Sequence, residues 1–187
     1  MRFRNVLITL VIIVIIVAIF YWFEQNKKQE SENQTNSPQI LMPTTDVPSL
    51  EFTETYQNNQ FGFSFKHPRN FTVKSLDDPS GLTTVVAQNE KAEGFQIAIQ
   101  SIDEDIQALT VERIRQDLPD IPIENPQDVI LGEHGKGVAF MSDDPAFGGK
   151  SREVWFVYDR VLYQIKTYEE YDNLLKNILS TWVFQST

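Results

Sequence analysis

The stretch Val-Trp-Phe-Val-Tyr-Asp-Arg-Val-Leu-Tyr-Gln-Ile at residues 154–165 decides the fold, because it holds two consecutive strands and the turn between them. Residues 154–158 are apolar throughout, as expected for a central strand covered on both faces. Residues 161–165 place Val, Tyr and Ile at every second position, which is the period of a strand with one buried face. Between the two strands, the dipeptide Asp159-Arg160 predicts a tight hairpin turn.

Alternation of this kind recurs through residues 51–187 and is typical of half-buried strands. Phe61, Phe63 and Phe65 share one face, with small or polar residues between them. Four further groups have the same spacing: Leu82, Thr84 and Val86; Phe95, Ile97 and Ile99; Val138 and Phe140; Val161, Tyr163 and Ile165. The pattern predicts six or seven strands in a central, mainly antiparallel β-sheet.

Two segments change to helical spacing. Apolar residues recur at that spacing over residues 111–118, and Pro119 ends the run because it has no backbone N–H. Farther along, Thr167 and Glu170 form a predicted capping box at the start of a second helix. The apolar stripe after this box consists of Tyr171, Leu174, Leu175, Ile178 and Trp182. A sheet accompanied by helices predicts an α+β domain.

The chain begins with an apolar stretch, residues 6–23, in which Thr9 is the only polar side chain. As a helix it is about 27 Å long, close to the hydrocarbon thickness of about 30 Å. The small residues of a signal-peptide cleavage site are absent after it, so residues 1–23 are predicted to remain as a transmembrane anchor. Arg2 and Arg4 precede the apolar stretch and Lys27 and Lys28 follow it, so the count of positive charges is nearly equal on the two sides. Because only Arg2 and Arg4 lie directly beside the stretch, we expect a single-pass cell-membrane protein with its C-terminal domain outside the cytoplasm.

Residues 24–50 are rich in Gln, Asn, Ser, Thr and Pro, a composition that predicts a flexible polar linker. Four basic and four acidic side chains lie in residues 1–50. The formal charge of −10 therefore belongs to residues 51–187, the predicted globular domain, which carries 12 of the 16 basic and 22 of the 26 acidic side chains. Such an acidic domain is not expected to bind nucleic acid, which requires clustered Lys and Arg. The absence of Cys excludes disulfides, thiolate metal sites and cysteine nucleophiles.

Two motifs at the ends of the domain indicate a family. Tyr56 is followed by Phe-Gly-Phe-Ser-Phe-Lys-His-Pro at residues 61–68, and residues 174–184 combine an apolar helix with a short strand. Both resemble bacterial PsbP-like domains of the Mog/PsbP superfamily, with His67 in place of the usual Tyr and Phe71 near the usual Trp. The resemblance implies an αβα sandwich, with a central antiparallel sheet between helical layers, and a non-catalytic binding or assembly module. It implies no functional residues.

Other motifs favour structural roles. The Gly-rich segment 144–151 lacks the first glycine and the following helix of a phosphate-binding loop, so it is interpreted as a surface loop. Segment 132–137 is interpreted as a turn between strands. His67 and His134 lie far apart beside turn residues and are expected at the surface or at a sheet edge. Three acidic clusters lack the spacing of a calcium loop and are expected to be solvated, with calcium binding left open. These are residues 77–78, 103–105 and 143–144.

The candidate interaction surface consists of aromatic residues of the last hairpin: Trp155, Tyr158, Tyr163 and Tyr168. Rings of this type are enriched in both cores and recognition surfaces, and the core is the more frequent location. No catalytic, cofactor-binding or metal-binding residue is predicted, and the chain is expected not to be an enzyme. The expected partners are the membrane, through residues 6–23, and a protein. The alternative is an extracytoplasmic hydrolase or small-ligand-binding protein with a cleft near residues 143–152.

Overall fold

The computed structural model describes residues 51–143 and 148–185. The predicted anchor, residues 6–23, and the predicted linker, residues 24–50, lie outside these ranges and stay predictions. Within the described ranges, no helix is both long enough and apolar enough to cross a membrane.

The described chain folds into ten strands and two short α-helices. The strands are β1 Glu54–Asn58, β2 Phe63–His67, β3 Thr72–Asp77, β4 Thr83–Gln88, β5 Gly94–Ser101, β6 Glu124–Leu131, β7 Gly135–Ser142, β8 Ser151–Tyr158, β9 Val161–Tyr168 and β10 Val183–Phe184. The helices are α1 Val111–Asp117 and α2 Asp172–Leu179, and a 3-10 turn, Glu169–Tyr171, precedes α2. There are more strands than the six or seven predicted, because β1, β3 and β6 are mostly exposed and β10 has only two residues. Such strands show little alternation of apolar residues.

Seven strands form the main sheet in the order β3-β4-β5-β9-β8-β7-β6, and every neighbouring pair is antiparallel. The hairpin predicted from residues 154–165 is confirmed as β8 and β9 near its centre. Its turn residues have positive φ angles, 46° at Asp159 and 60° at Arg160, as the tight turns that match strand twist require. Val154, Trp155, Phe156 and Val157 are all buried, which confirms a central strand covered on both faces.

The first face of the main sheet is covered by α2 and by a second, three-stranded sheet in the order β1-β2-β10. The ring of Phe63 on β2 stacks on that of Trp182, with centroids 4.4 Å apart. Phe63 also meets Tyr163 of the main sheet edge-on at 5.8 Å. The main core includes Phe63, Phe65, Val85, Ala87, Phe95, Ile97, Ile99, Phe156, Tyr163, Ile165, Leu175, Ile178 and Trp182. These contacts join the two sheets.

Among the described residues, segment 102–123, which contains α1, covers the second face over β7 and β8 and as far as Leu162 on β9. Ile114 of α1 packs there against a smaller core that includes Phe140 and Trp155. Thr110 caps α1 by accepting a hydrogen bond from the Arg113 backbone N–H, and the helix ends before Pro119 as predicted. The predicted α+β class and mainly antiparallel sheet are confirmed. The simple αβα layering is incomplete, since the first face carries a sheet as well as a helix.

The predicted capping box at Thr167 is wrong. Thr167 lies inside β9, and its hydroxyl donates to the backbone oxygen of Gly94 on β5 at 2.6 Å. Thr167 therefore takes part in the hydrogen bonding of the sheet and does not cap a helix. The 3-10 turn begins two residues later, at Glu169. Trp182 lies beyond the end of α2 and reaches the core after a turn, so it is not part of the helical stripe.

The predicted phase of β4 is also wrong. Thr83, Val85 and Ala87 point into the main core, whereas Thr84 and Val86 are half-buried on the second face. Both sets contain β-branched residues, so the sequence does not distinguish the buried face from the open one. Pairing with β5, in which Ile97 faces Val85, fixes the phase.

Asp172 at the start of α2 ties the helix to the main sheet. Arg152 Nε on β8 donates to Asp172 Oδ1 at 3.0 Å, and Lys176 Nζ lies 2.8 Å from Oδ2. Burial alone raises the pKa of the Asp172 carboxyl, but hydrogen bonds from Lys176 and Arg152 outweigh burial and hold the pKa below its ordinary value. The ionised carboxylate therefore stabilises the fold.

We expect Asp172→Asn to lower the free energy of unfolding at neutral pH by about 1.5–3 kcal/mol, the range for hydrogen bonds to a charged group. Because the folded pKa is lowered, this contribution is present above the unfolded pKa of about 3.9 and is lost as the pH falls through the folded value. Urea unfolding should thus show the gap between variant and wild type shrinking from about pH 5 to pH 3. The control is Asp120→Asn at an exposed position. A gap that stays constant over this range would contradict the assignment.

Candidate interaction surface

Two of the four aromatic residues predicted for an interaction surface belong to the core instead. Trp155 is 6% exposed and meets Phe140 edge-on beneath segment 102–123. Tyr163 is 1% exposed, its ring stacks on Phe156 at 4.7 Å, and burial raises the pKa of its hydroxyl. Both lie on central strands, where each face of the sheet is covered. They position other residues and do not offer a binding surface.

The remaining two tyrosines are half-buried but lie at opposite ends of one hairpin. Tyr158 pairs with Val161 beside the turn, whereas Tyr168 pairs with Ser151 at the far end. Seven residues of strand separate these positions, which is about 23 Å. Burial, followed by the negative charge of Glu170, raises the pKa of Tyr168. The four predicted residues therefore do not form one surface.

Tyr158 belongs to a group of three neighbouring rings, those of His134, Tyr158 and Phe184, which is here called the ring stack. The centroids of Tyr158 and Phe184 lie 3.8 Å apart with the planes tilted by 23°. The centroid of the His134 ring lies 6.1 Å from that of Tyr158, and the two rings are nearly parallel. The sequence analysis expected His134 at the surface, and it is exposed. Phe184 was not predicted, because only the tertiary fold brings β10 beside Tyr158.

Two turns and the terminal strand position the ring stack. Tyr158 is the last residue of β8, and His134 lies in the turn between β6 and β7. The turn predicted for segment 132–137 is confirmed over residues 132–134, whereas residues 135–137 begin β7. Gly132 in that turn has φ +56°, and a Cβ there would approach the Phe184 ring to 3.2 Å. Glycine at this position therefore serves both the backbone angle and the close approach of β10.

The ring stack forms an apolar patch at one end of the domain. Tyr158 and Phe184 are half-buried, His134 is exposed, and the neighbouring Val183 is 56% exposed. The core supports the stack, since Phe184 packs edge-on against Phe156 at 6.1 Å. Tyr and His rings combine apolar faces with polar edges, which suits contact with another protein.

The predicted cleft near residues 143–152 includes residues 144–147, which lie outside the described ranges. In the described part, Ser151 begins a strand and not a helix, in line with the interpretation of segment 144–151 as something other than a phosphate-binding loop. The hydroxyl of Ser142 is buried without a hydrogen-bond partner among residues 51–143 and 148–185. The hydrolase or ligand-binding alternative therefore stays a prediction.

Beside this segment lies a buried carboxylate, Glu153, which is 1% exposed. Trp155 Nε1 donates to Glu153 Oε2 at 2.8 Å, Ser151 Oγ donates to Oε1 at 3.2 Å, and Lys166 Nζ lies 3.0 Å from Oε1. Three donors thus hold both oxygens, which fixes Glu153 opposite Lys166 in the β8–β9 register. The arrangement is that of a structural ion pair, since an acid or base catalyst must reach its substrate.

Two further polar residues considered in the sequence analysis, His67 and Asp78, make contacts within the fold. His67 was expected at the surface or an edge, but it is buried on β2, the middle strand of the small sheet, and Nδ1 lies 3.0 Å from the Pro68 oxygen. Asp78 accepts a hydrogen bond from the Leu82 N–H within its turn. The hydrogen bond from the Ser80 hydroxyl, together with backbone N–H groups of the turn, outweighs burial and lowers the pKa of Asp78. In the described part of the chain, no three His, Cys, Asp or Glu side chains are grouped to hold a metal ion.

Replacing Glu153 with Ala should destabilise the domain by about 1–3 kcal/mol, because it leaves the buried Trp155 N–H without its hydrogen-bond acceptor. Chemical denaturation of the full chain in detergent measures the loss. Glu133→Ala is the matched control, since Glu133 is fully exposed in a turn, and it should change stability by less than about 0.5 kcal/mol. An unchanged denaturation midpoint for the Glu153 variant would show that the ion pair does not support the fold.

Comparison with known proteins places the chain in a family. No curated protein matches it significantly. The solution structure of cyanobacterial PsbP (CyanoP) from Synechocystis sp. PCC 6803 is similar, with a TM-score of 0.47 and 12% sequence identity, over 77% of this chain and 98% of that chain. The family model described as PsbP-like protein matches residues 5–180. Because this match spans most of the 187 residues, the chain belongs to the PsbP-like protein family.

Proposed function

We propose that this chain is a single-pass membrane protein whose PsbP-like domain lies outside the cytoplasm and acts as a non-catalytic protein-binding or assembly module. The observation that carries the proposal is the ring stack, which leaves two half-buried rings and an exposed imidazole at the end of a rigid domain. The binding or assembly role implied by the resemblance to PsbP-like domains of the Mog/PsbP superfamily agrees with it.

The ring stack is suited to binding because it is rigid before a partner arrives. The Phe184 ring packs against the buried rings of Phe156 and Trp182, and its centroid lies 5.9 Å from that of Trp182. Tyr158 is held in place by the strand pairing of β8. Rings that are already ordered lose little conformational entropy on binding. The exposed Val183 extends the apolar area beside them.

The sequence supports a membrane anchor at residues 6–23. The family match begins at residue 5, so this apolar stretch belongs to the matched region. The domain that follows carries the full charge of −10, and an anionic lipid surface repels such a domain. In the proposed arrangement the linker, residues 24–50, therefore holds the domain near the membrane without laying it on the lipid.

The proposed anchor predicts that the full chain stays in the membrane pellet after an alkaline carbonate wash, whereas deletion of residues 6–23 releases it. With the outer envelope opened and the inner membrane intact, added protease should digest residues 51–187 while a cytoplasmic marker survives. Recovery of the full chain in the carbonate-soluble fraction, or a domain as well protected as the marker, would refute this part of the proposal.

A photoreactive amino acid at position 158 should crosslink to one dominant protein in intact membranes. The same amino acid at Gln116, exposed on α1 on the opposite face of the main sheet from Tyr158, is the control and should not capture that protein. Once the partner is purified, Tyr158→Ala should weaken its binding by about 2 kcal/mol, or roughly 30-fold, as for an aromatic anchor at an interface. Equal crosslinking from both positions, or unchanged affinity of the Ala variant, would contradict the assignment.

A further inference from the structure

The two edge strands of the main sheet are protected differently. β6 carries Pro126, which has no N–H to offer, and a register shift between Glu124 and Gln127. Asn125 within the shift has φ +49°. Such features prevent another strand from pairing with an edge. β3 has none of them, and it pairs with β4 in unbroken register along its whole length.

The hairpin hydrogen bonds show which backbone groups of β3 point outward. The Asp78 N–H donates to the Leu82 oxygen at 2.9 Å and closes the turn between β3 and β4. Because bonded and non-bonded pairs alternate along an antiparallel ladder, Thr72, Lys74 and Leu76 bond to β4. The N–H and C=O groups that face outward belong to Val73, Ser75 and Asp77. Among the described residues, no other backbone group bonds to these three.

Two exposed side chains stand beside this edge on the second face of the sheet. Leu76 is 51% exposed, and Lys74, two residues away, makes no ion pair within the described ranges. Although the domain holds 22 acidic side chains, none lies on the second face of β3, β4 or β5. The residues there are Thr72, Lys74, Leu76, Thr84, Val86, Gln88, Gly94, Gln96, Ala98 and Gln100. On its second face this edge is thus locally positive and apolar in an otherwise acidic domain, whereas the exposed Asp77 lies on its first face.

We infer that the outer edge of β3 is a strand-addition site for an extended segment of a partner protein, with an acidic side chain facing Lys74 and an apolar one facing Leu76. Backbone hydrogen bonds to Val73, Ser75 and Asp77 supply affinity, and the two side-chain pairs supply specificity. A second copy of this chain fits the edge poorly, because two domains of charge −10 repel each other. The inference rests on the proposed protein-binding function but uses a surface separate from the ring stack.

The test uses the full chain, isotope-labelled in detergent micelles, and the peptide acetyl-Thr-Val-Thr-Glu-Thr-Val-Thr-amide, whose Glu and Val can face Lys74 and Leu76 in either direction. We expect the peptide to shift the amide resonances of Val73, Ser75 and Asp77 and to leave those of β6 unchanged. A control peptide with Lys in place of Glu should bind at least about fivefold more weakly, because it places like charges opposite each other.

Variants at the edge separate strand addition from non-specific contact. Ser75→Pro removes one outward N–H without touching the β3–β4 ladder and should weaken peptide binding at least about tenfold, whereas Ser75→Ala should bind like the wild type. Unchanged β4 and β5 resonances confirm that the Pro variant is folded. Lys74→Glu provides a second test that keeps the strand intact, and it should reverse the preference for the acidic peptide.

The inference is overturned if the β3 amides do not shift, or if the Pro variant binds as well as the Ala variant. It is also overturned if the chain forms a dimer that Ser75→Pro abolishes, since the edge then belongs to a second copy. Crosslinking from Tyr158 in the Ser75→Pro background distinguishes this failure from failure of the proposed function. If that crosslink persists while the peptide result is negative, the protein-binding role stands and the strand-addition site does not.

Discussion

The stacking of Phe63 on Trp182 is the interaction on which the rest of the structure depends. Phe63 comes from β2 near the start of the domain, and Trp182 lies just before β10 at its end. The pair therefore joins residues that are 119 positions apart in the sequence. On the main sheet, Tyr163 packs edge-on against both rings. Burial of such large apolar surfaces supplies much of the free energy of folding in a domain of this size.

The candidate interaction surface is the outer rim of the same aromatic cluster. Trp182 contacts Phe184, Phe184 stacks on Tyr158, and the His134 ring lies nearly parallel to that of Tyr158. The ring stack is thus continuous with the core, because the buried rings of Phe156 and Trp182 pack against Phe184 and support it.

Local patterns in the sequence predicted the central hairpin of the main sheet but did not predict the small sheet, in which β2 pairs with β10. The apolar run of β8, the turn at Asp159-Arg160 and the end of α1 at Pro119 are each fixed by neighbouring residues, so the sequence predicts them. The small sheet depends on pairing between β2 and β10, which no local spacing encodes. Thr167 shows the same limit, since its capping motif is overridden by a hydrogen bond to Gly94 on another strand.

The candidate site was predicted in part for a related reason. Tyr158 is a half-buried aromatic residue, whereas Trp155 and Tyr163, also aromatic, are buried because both faces of the sheet are covered at their positions. Phe184 and His134 join the site through tertiary packing alone. Residue type alone therefore does not separate the buried rings of the hairpin from those that reach the surface.

Native-state hydrogen exchange of the full chain tests most directly whether the aromatic core makes the two sheets one cooperative unit. The account predicts that amides of β2, in the small sheet, open with the same free energy and denaturant dependence as those of β8 and β9. Exchange of β2 at a clearly lower free energy, while β8 and β9 stay protected, would contradict it. The small sheet would then be a separable layer, and the ring stack would lack its rigid support.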